Sequence, residues 1–179
     1  MTRDDLKTFH ELDIDFDSIG LDWGGEFVPY FCTPVDAEYV GRIGCDGVHF
    51  VLLPGDEKVY CVDPSTGDAG TYVLPAASDF REFLSFILCC HDANPLSQIY
   101  FLTEERFRTF AAEEAEAREE GELDGRFKAK DAALAVIAET FGVAPMEPYD
   151  KVRALQAAFD PGVLKFSDEY YDTLGIERE

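Results

Sequence analysis

Cys45, Asp46 and His49 place a thiol, a carboxylate and an imidazole within five positions, the types needed for nucleophilic or metal chemistry. Such chemistry also needs a base within hydrogen-bond reach of the nucleophile and a site for the oxyanion, and the chain contains no nucleophile elbow. His49 therefore reads first as a strand histidine. An enzyme, hydrolytic or metal-dependent, using Cys45, Asp46 and His49 is kept as one alternative. A second candidate, Cys89-Cys90-His91-Asp92, lines up four potential ligands at a helix end. Adjacent helical residues point about 100° apart, so both thiols cannot face one tetrahedral ion without a ligand from elsewhere. The third, Asp13-x-Asp15-x-Asp17, imitates the start of a calcium loop but has Ser18 where the turn needs glycine and Gly24 where the bidentate glutamate belongs. It reads instead as an exposed extended edge. No metal or cofactor is expected.

The elements that would position these residues follow from hydrophobic periodicity. Apolar runs at Phe27 to Phe31, Tyr39 to Ile43, Val48 to Leu53, Val59 to Val62 and Tyr72 to Leu74 are separated by Cys45-Asp46-Gly47, Pro54-Gly55-Asp56 and Pro64-Ser65-Thr66-Gly67-Asp68. Turn residues at that spacing predict an antiparallel meander of about five strands. Beyond Ser78, read as an N-cap, Phe80, Phe83, Leu84, Ile87 and Leu88 form the stripe of a helix lying on the sheet. Asn94-Pro95 closes it, and a short helix is expected over 96–101. Thr103 can cap a helix that carries Phe107, Phe110 and Ala111 inward, while its acidic half from Glu113 to Glu122 should project into solvent. Leu134, Ile137, Ala138 and Phe141 mark another helix after Gly125, and 149–159 reads as the last one. The fold class is α+β: helices packed on one face of a mostly antiparallel sheet, with a core at about 26–110 and a helical C-terminal extension at about 126–179, all in a single domain.

Composition narrows function. The 179 residues carry 37 Asp and Glu against 15 Lys and Arg, a net charge of -22. Such a chain repels polyanions and draws basic surfaces, and its basic residues are scattered among carboxylates, which excludes a phosphate-binding stripe. Nucleic acid is not an expected partner. Neither a Gly-x-Gly-x-x-Gly nor a Walker loop occurs. No apolar run has the roughly 18 to 20 residues needed to cross a bilayer, and the N-terminus lacks an apolar leader, so a cytoplasmic location without membrane contact is expected. Five cysteines, an odd number without a Cys-x-x-Cys pair, read as reduced thiols in the core.

The central block, Gly44-Cys45-Asp46-Gly47-Val48-His49-Phe50, then Leu53-Pro54-Gly55, Val59-Tyr60-Cys61-Val62-Asp63-Pro64 and Asp79-Phe80-Arg81-Glu82-Phe83-Leu84, resembles the SUKH superfamily over about half the chain. Its bacterial members are mostly immunity proteins of toxin systems, and its eukaryotic relatives include glucan-synthesis regulators. The resemblance implies a non-catalytic protein that neutralises a cognate toxin by stoichiometric binding. A basic nuclease has the right sign for an acidic surface formed by Glu38, Asp46, Asp56, Glu57, Asp63 and Asp68, with Tyr60 and Tyr72 as exposed aromatic anchors. A regulatory or scaffold module recognising another cellular protein is the other alternative, and the oligomeric state is open.

Overall fold

A four-stranded antiparallel meander, order β1-β2-β3-β4, organises the molecule: β1 (Glu38–Arg42), β2 (His49–Leu52), β3 (Val59–Val62) and β4 (Val73–Ala77). Among the described residues seven α-helices pack around it: α1 (Thr2–His10), α2 (Phe80–Cys90), α3 (Asn94–Gln98), α4 (Glu104–Glu120), α5 (Asp124–Phe141), α6 (Tyr149–Ala157) and α7 (Asp168–Leu174). The computed structural model describes residues 2–44, 46–121 and 123–178. Cys45 and Glu122, named above, lie outside the described residues. Among those described, no helix is long and apolar enough to cross a membrane.

The α+β class matches the sequence reading, but the sheet has four strands, not five. Residues 26–31 run beside the sheet without pairing in it. Pro29 has no N–H to give to a ladder. In β1 a bulge falls between Tyr39 and Gly41, so Tyr39 stands opposite Val51 and Arg42 opposite His49. The extra residue turns Tyr39 and Arg42 to the same face of the sheet, three positions apart. Beside the bulge, Gly41 lets the Leu21 side chain pack close, since a Cβ there would sit 2.8 Å from it.

Both faces of the sheet are covered, which corrects the expectation of helices on one face. Alternation sends Phe50, Leu52, Val59 and Cys61 to an inner core with Leu6 and Phe9 of α1, Phe80, Phe83, Leu84 and Ile87 of α2, and Ile137 and Phe141 of α5. Full burial of each large apolar side chain contributes about 1.5–3 kcal/mol. Val51, Tyr60, Val62, Tyr72 and Val73 face the other way, where Cys32 and Tyr170 close over them with Phe31, Phe159, Leu164 and Phe166. The chain beyond 159 thus supplies the second cover, including α7, beyond the helix read as the last. A backbone bond from Val35 N–H to the Lys165 carbonyl, 2.8 Å, ties that cover to the segment before β1. Helices α5 and α6 also feed the inner core through Leu134, Ile137 and Val152, so the C-terminal extension is part of the same packing.

Helix boundaries follow their caps. Asp79, not Ser78, is the N-cap of α2: its side chain accepts from Glu82 N–H at 2.9 Å while Glu82 Oε2 accepts from Ser78 N–H at 2.7 Å. His91, at φ 57°, ends α2 in the left-handed region, and Asn94-Pro95 opens α3 instead of closing α2. Thr103 caps α4 through Arg106 N–H. Asp15 does not lie on an extended edge but caps a 3-10 turn, Phe16–Ile19, by accepting from Ser18 N–H.

Candidate functional site

The predicted acidic surface divides between the two ends of the sheet. Glu38, Asp56 and Glu57 stand where β1 begins and β2 turns into β3, and Asp46, Asp63 and Asp68 stand at the opposite end, on the β1–β2 and β3–β4 turns. The first group is bound up within the protein. Arg3 reaches Glu38 at 3.1 Å and Glu57 at 3.9 Å while donating to the Leu53 carbonyl at 2.6 Å, and Glu57 Oε2 accepts from Thr2 N–H at 3.0 Å. Asp56 accepts from Lys58 N–H and Nζ and from the Tyr60 hydroxyl at 2.7 Å. Burial pushes its carboxyl up, and these donors outweigh that, so it lies below the usual carboxylate range.

The expected aromatic anchors are not at the surface. Tyr60 is 1% exposed and Tyr72 4%, because both point to the outer face that the C-terminal segment covers. Tyr60 packs beside Phe159, and Tyr72 sits edge-on to Phe31 and Tyr170. At the other end, Asp68 and Asp46 are exposed and Asp63 is half-buried. Asp63 Oδ1 accepts from Ser65 N–H and hydroxyl, and Asp68 Oδ1 from Gly70 N–H, each bond closing a turn of the β3–β4 connection.

His49 is 1% exposed and satisfied on both sides. Its Nδ1–H donates to the Gly47 carbonyl at 2.7 Å, and Nε2 accepts from the Thr33 hydroxyl at 3.1 Å, whose oxygen accepts in turn from Tyr30 N–H at 2.9 Å. This network assigns the neutral Nδ1–H tautomer. Burial pushes the imidazole below its ordinary value, and the Gly47 carbonyl offsets only part of that. Asp46 is exposed on the turn before β2.

Around His49 the structure forms a feature that the sequence reading did not contain. A cleft of about 540 Å³ lies on the outer face at the turn end of the sheet, lined by Glu26, Phe27, Tyr30, Tyr39, Arg42 and His49 and floored by Gly44 and Gly47. Phe27 stacks on Tyr39 at 4.2 Å between ring centroids, 12° from parallel, and Tyr30 lies over His49 at 5.8 Å and 27°. Arg42 is held at the wall by Nε and Nη2 bonds to Asp22 Oδ2 at 3.0 and 2.7 Å. Asp22 also accepts from Gly24 N–H, and the arginine bonds hold its carboxyl below the usual range. Beyond Arg42 a second recess of about 630 Å³ is lined by Asp17, Asp22, Asp46, Asp92 and Arg126. The only signal in the sequence was the density of aromatic residues between 27 and 39.

The Cys89-Cys90-His91-Asp92 group is dispersed. Cys89 faces Glu147, Cys90 is half-buried, His91 Nδ1 lies 2.8 Å from Glu114, and Asp92 lies 3.4 Å from Lys130. Burial, reinforced by nearby carboxylates, raises both thiols above their ordinary range. Cys32, Cys61, Cys89 and Cys90 are free thiols. Among the described residues no group of three or more His, Cys, Asp or Glu side chains could hold a metal ion. Glu114, expected to project into solvent, is gathered inward instead. Burial pushes its carboxyl up, but His91, Lys130 and Arg118 outweigh this and hold it down at about 2. Lys130, 5% exposed, lies 3.0 Å from it and thereby ties α5 to α4.

Comparison with protein-family models, with curated proteins and with solved structures returned no match for this chain. The class that the fold defines is an α+β protein built on a four-stranded antiparallel meander.

Proposed function

We propose that this protein is a non-catalytic binding protein that captures a basic protein partner at the turn end of its sheet, the end that carries Asp46, Asp63, Asp68 and the aromatic cleft. The observation that carries this reading is the disposition of charge. At least nine of the fifteen basic side chains, among them Arg3, Arg42, Arg81, Arg118 and Lys130, already lie within ion-pair distance of carboxylates. The net charge of -22 is therefore carried by surplus carboxylates, and a partner of opposite sign gains in encounter rate and specificity. The resemblance to the SUKH superfamily supplies the partner class: a toxin, with a nuclease favoured because a cleft that holds phosphates is basic. Capture would inhibit by occluding that cleft. His49 gives an enzymatic reading no free base, since both its nitrogens are engaged within the fold.

The test is affinity capture from source-cell lysate with the tagged protein at low and moderate salt, followed by mass spectrometry and a one-to-one inhibition assay. A single basic partner, retained at low salt, weakened by moderate salt and inactivated by one equivalent, is the expected result. Retention of no partner, or of partners whose activity the protein leaves unchanged, overturns the reading.

A further inference from the structure

We propose that the cleft of Phe27, Tyr30, Tyr39 and His49 receives a cationic side chain, an arginine or a lysine, projecting from a protein partner. This rests on the capture reading above and deepens it by assigning the anchor.

The walls are rings: four aromatic side chains in two near-parallel pairs, with the imidazole of His49 at the base. Aromatic faces attract a cation within about 6 Å of the ring centroid, and the attraction grows as water is excluded. Charge complementarity selects a cation over other occupants. Glu26 stands among the lining residues, and in the adjoining recess, with the Asp22–Arg42 pair set aside, the carboxylates of Asp17 and Asp46 outnumber the Arg126 guanidinium. Arg42, the one cation among the described lining residues, is already neutralised by two bonds to Asp22. An anionic ligand would have to approach against the field of a chain of charge -22.

The rings are held in place before any ligand arrives. The Tyr39 hydroxyl donates to the Asp22 carbonyl at 3.1 Å, Tyr30 N–H is fixed by Thr33, and the Tyr30 ring packs so closely on Gly47 that a Cβ there would fall 2.5 Å from it. Pre-set walls lower the entropy lost on binding. Val28, 68% exposed, gives the lip an apolar surface against which the methylenes of an arginine or lysine can lie.

The experiment uses the full chain and two blocked tripeptides, acetyl-Gly-Arg-Gly-amide and its neutral citrulline counterpart, followed by the ring resonances of Phe27, Tyr30 and Tyr39 in NMR titrations. The arginine peptide should move these resonances saturably and bind at least fivefold tighter than the citrulline peptide. Tyr30→Leu should weaken arginine binding about tenfold, whereas Glu104→Gln, an exposed substitution on α4, should retain the ring shifts. Equal binding of the citrulline peptide overturns the proposal, as does tighter binding of neutral p-cresol or of benzoate, which would mark a site for planar or anionic ligands. Comparison within the unaltered protein keeps the outcome decisive even if Tyr30→Leu unfolds. In the capture assay, salt-sensitive retention of a partner unaffected by Tyr30→Leu overturns the anchor alone. Arginine binding without any captured partner overturns the capture reading alone.

Discussion

Thr33 Oγ1 stands 3.1 Å from Nε2 of His49 and accepts from Tyr30 N–H, so one hydroxyl fixes both the buried imidazole and the lip of the cleft. Thr33→Val keeps the shape and removes both bonds. Leaving a buried group unsatisfied costs about 1–3 kcal/mol, and the variant should lose stability in that range. Urea titration checks the loss, and an unchanged midpoint would show that the relay holds nothing together.

The same imidazole makes stability depend on pH. Folding lowers its proton affinity, so the unfolded chain takes up the proton first as pH falls through its ordinary value of 6.5. The contribution is fully present above 6.5 and declines progressively below it, toward the lower value of the folded state. Melting temperature measured between pH 7 and pH 5 should fall, and His49→Gln should flatten that slope. An identical slope in the variant would assign the dependence to other groups.

Glu114 gives a contrast in the cost of losing an ion pair. It is drawn between His91, Arg118 and the buried Lys130, whereas Glu104, paired with Arg108 near the start of the same helix, is solvent-exposed. Glu114→Ala leaves Lys130 buried with Asp92, at 3.4 Å, as its remaining carboxylate among the described residues, and should cost about 3–5 kcal/mol, the range for breaking a buried pair. Glu104→Ala should cost less than about 1 kcal/mol. Because the Glu114 carboxyl is held at about 2, against an ordinary 4.5, its stabilisation is present above 4.5 and lost as pH falls toward 2. Denaturant curves for both variants at pH 7 and pH 3.5 check the order and the sign.

Charge changes at the two ends of the sheet should differ in kind. Asp56 and Glu57 hold Lys58, Tyr60, Thr2 and Arg3, so their reversal should loosen α1 and lower the melting temperature. Asp68→Lys, on an exposed turn, should lower melting only through the lost Gly70 bond, by less than the reversal at Asp56 and Glu57, while slowing association with a basic partner at low salt, an effect that disappears at high salt. Stopped-flow association across salt concentrations separates these outcomes.

The α2 stripe, the three hairpin turns and the Thr103 cap were legible because each depends on local spacing. The N-terminal helix was not: Leu6 and Phe9 are its only large buried residues, and Asp4, Asp5 and Lys7 dilute the pattern. Residues 26–31 carry strand-forming types, yet they cover the sheet instead of joining it, a choice made by tertiary packing and by Pro29. The site was the least legible part. Tyr39 and Arg42 share a face only because of the bulge before Gly41, and a period of two would have placed them on opposite faces. Tyr60 and Tyr72 looked exposed because the residues that bury them, Phe159, Phe166 and Tyr170, lie far along the chain, on either side of Asp160-Pro161-Gly162.

That distance has a temporal side. The meander is complete at Ala77, but the C-terminal part of its outer lid begins only near Phe159, so on a translating ribosome the sheet emerges about 4–16 s, at ~5–20 residues per second, before that part of its cover does. During that interval Val51, Tyr60, Val62 and Tyr72 form an apolar surface that lacks its C-terminal cover on a nascent chain. Any factor that shepherds this protein to its native state would meet that surface first, and would be displaced as α7 arrives.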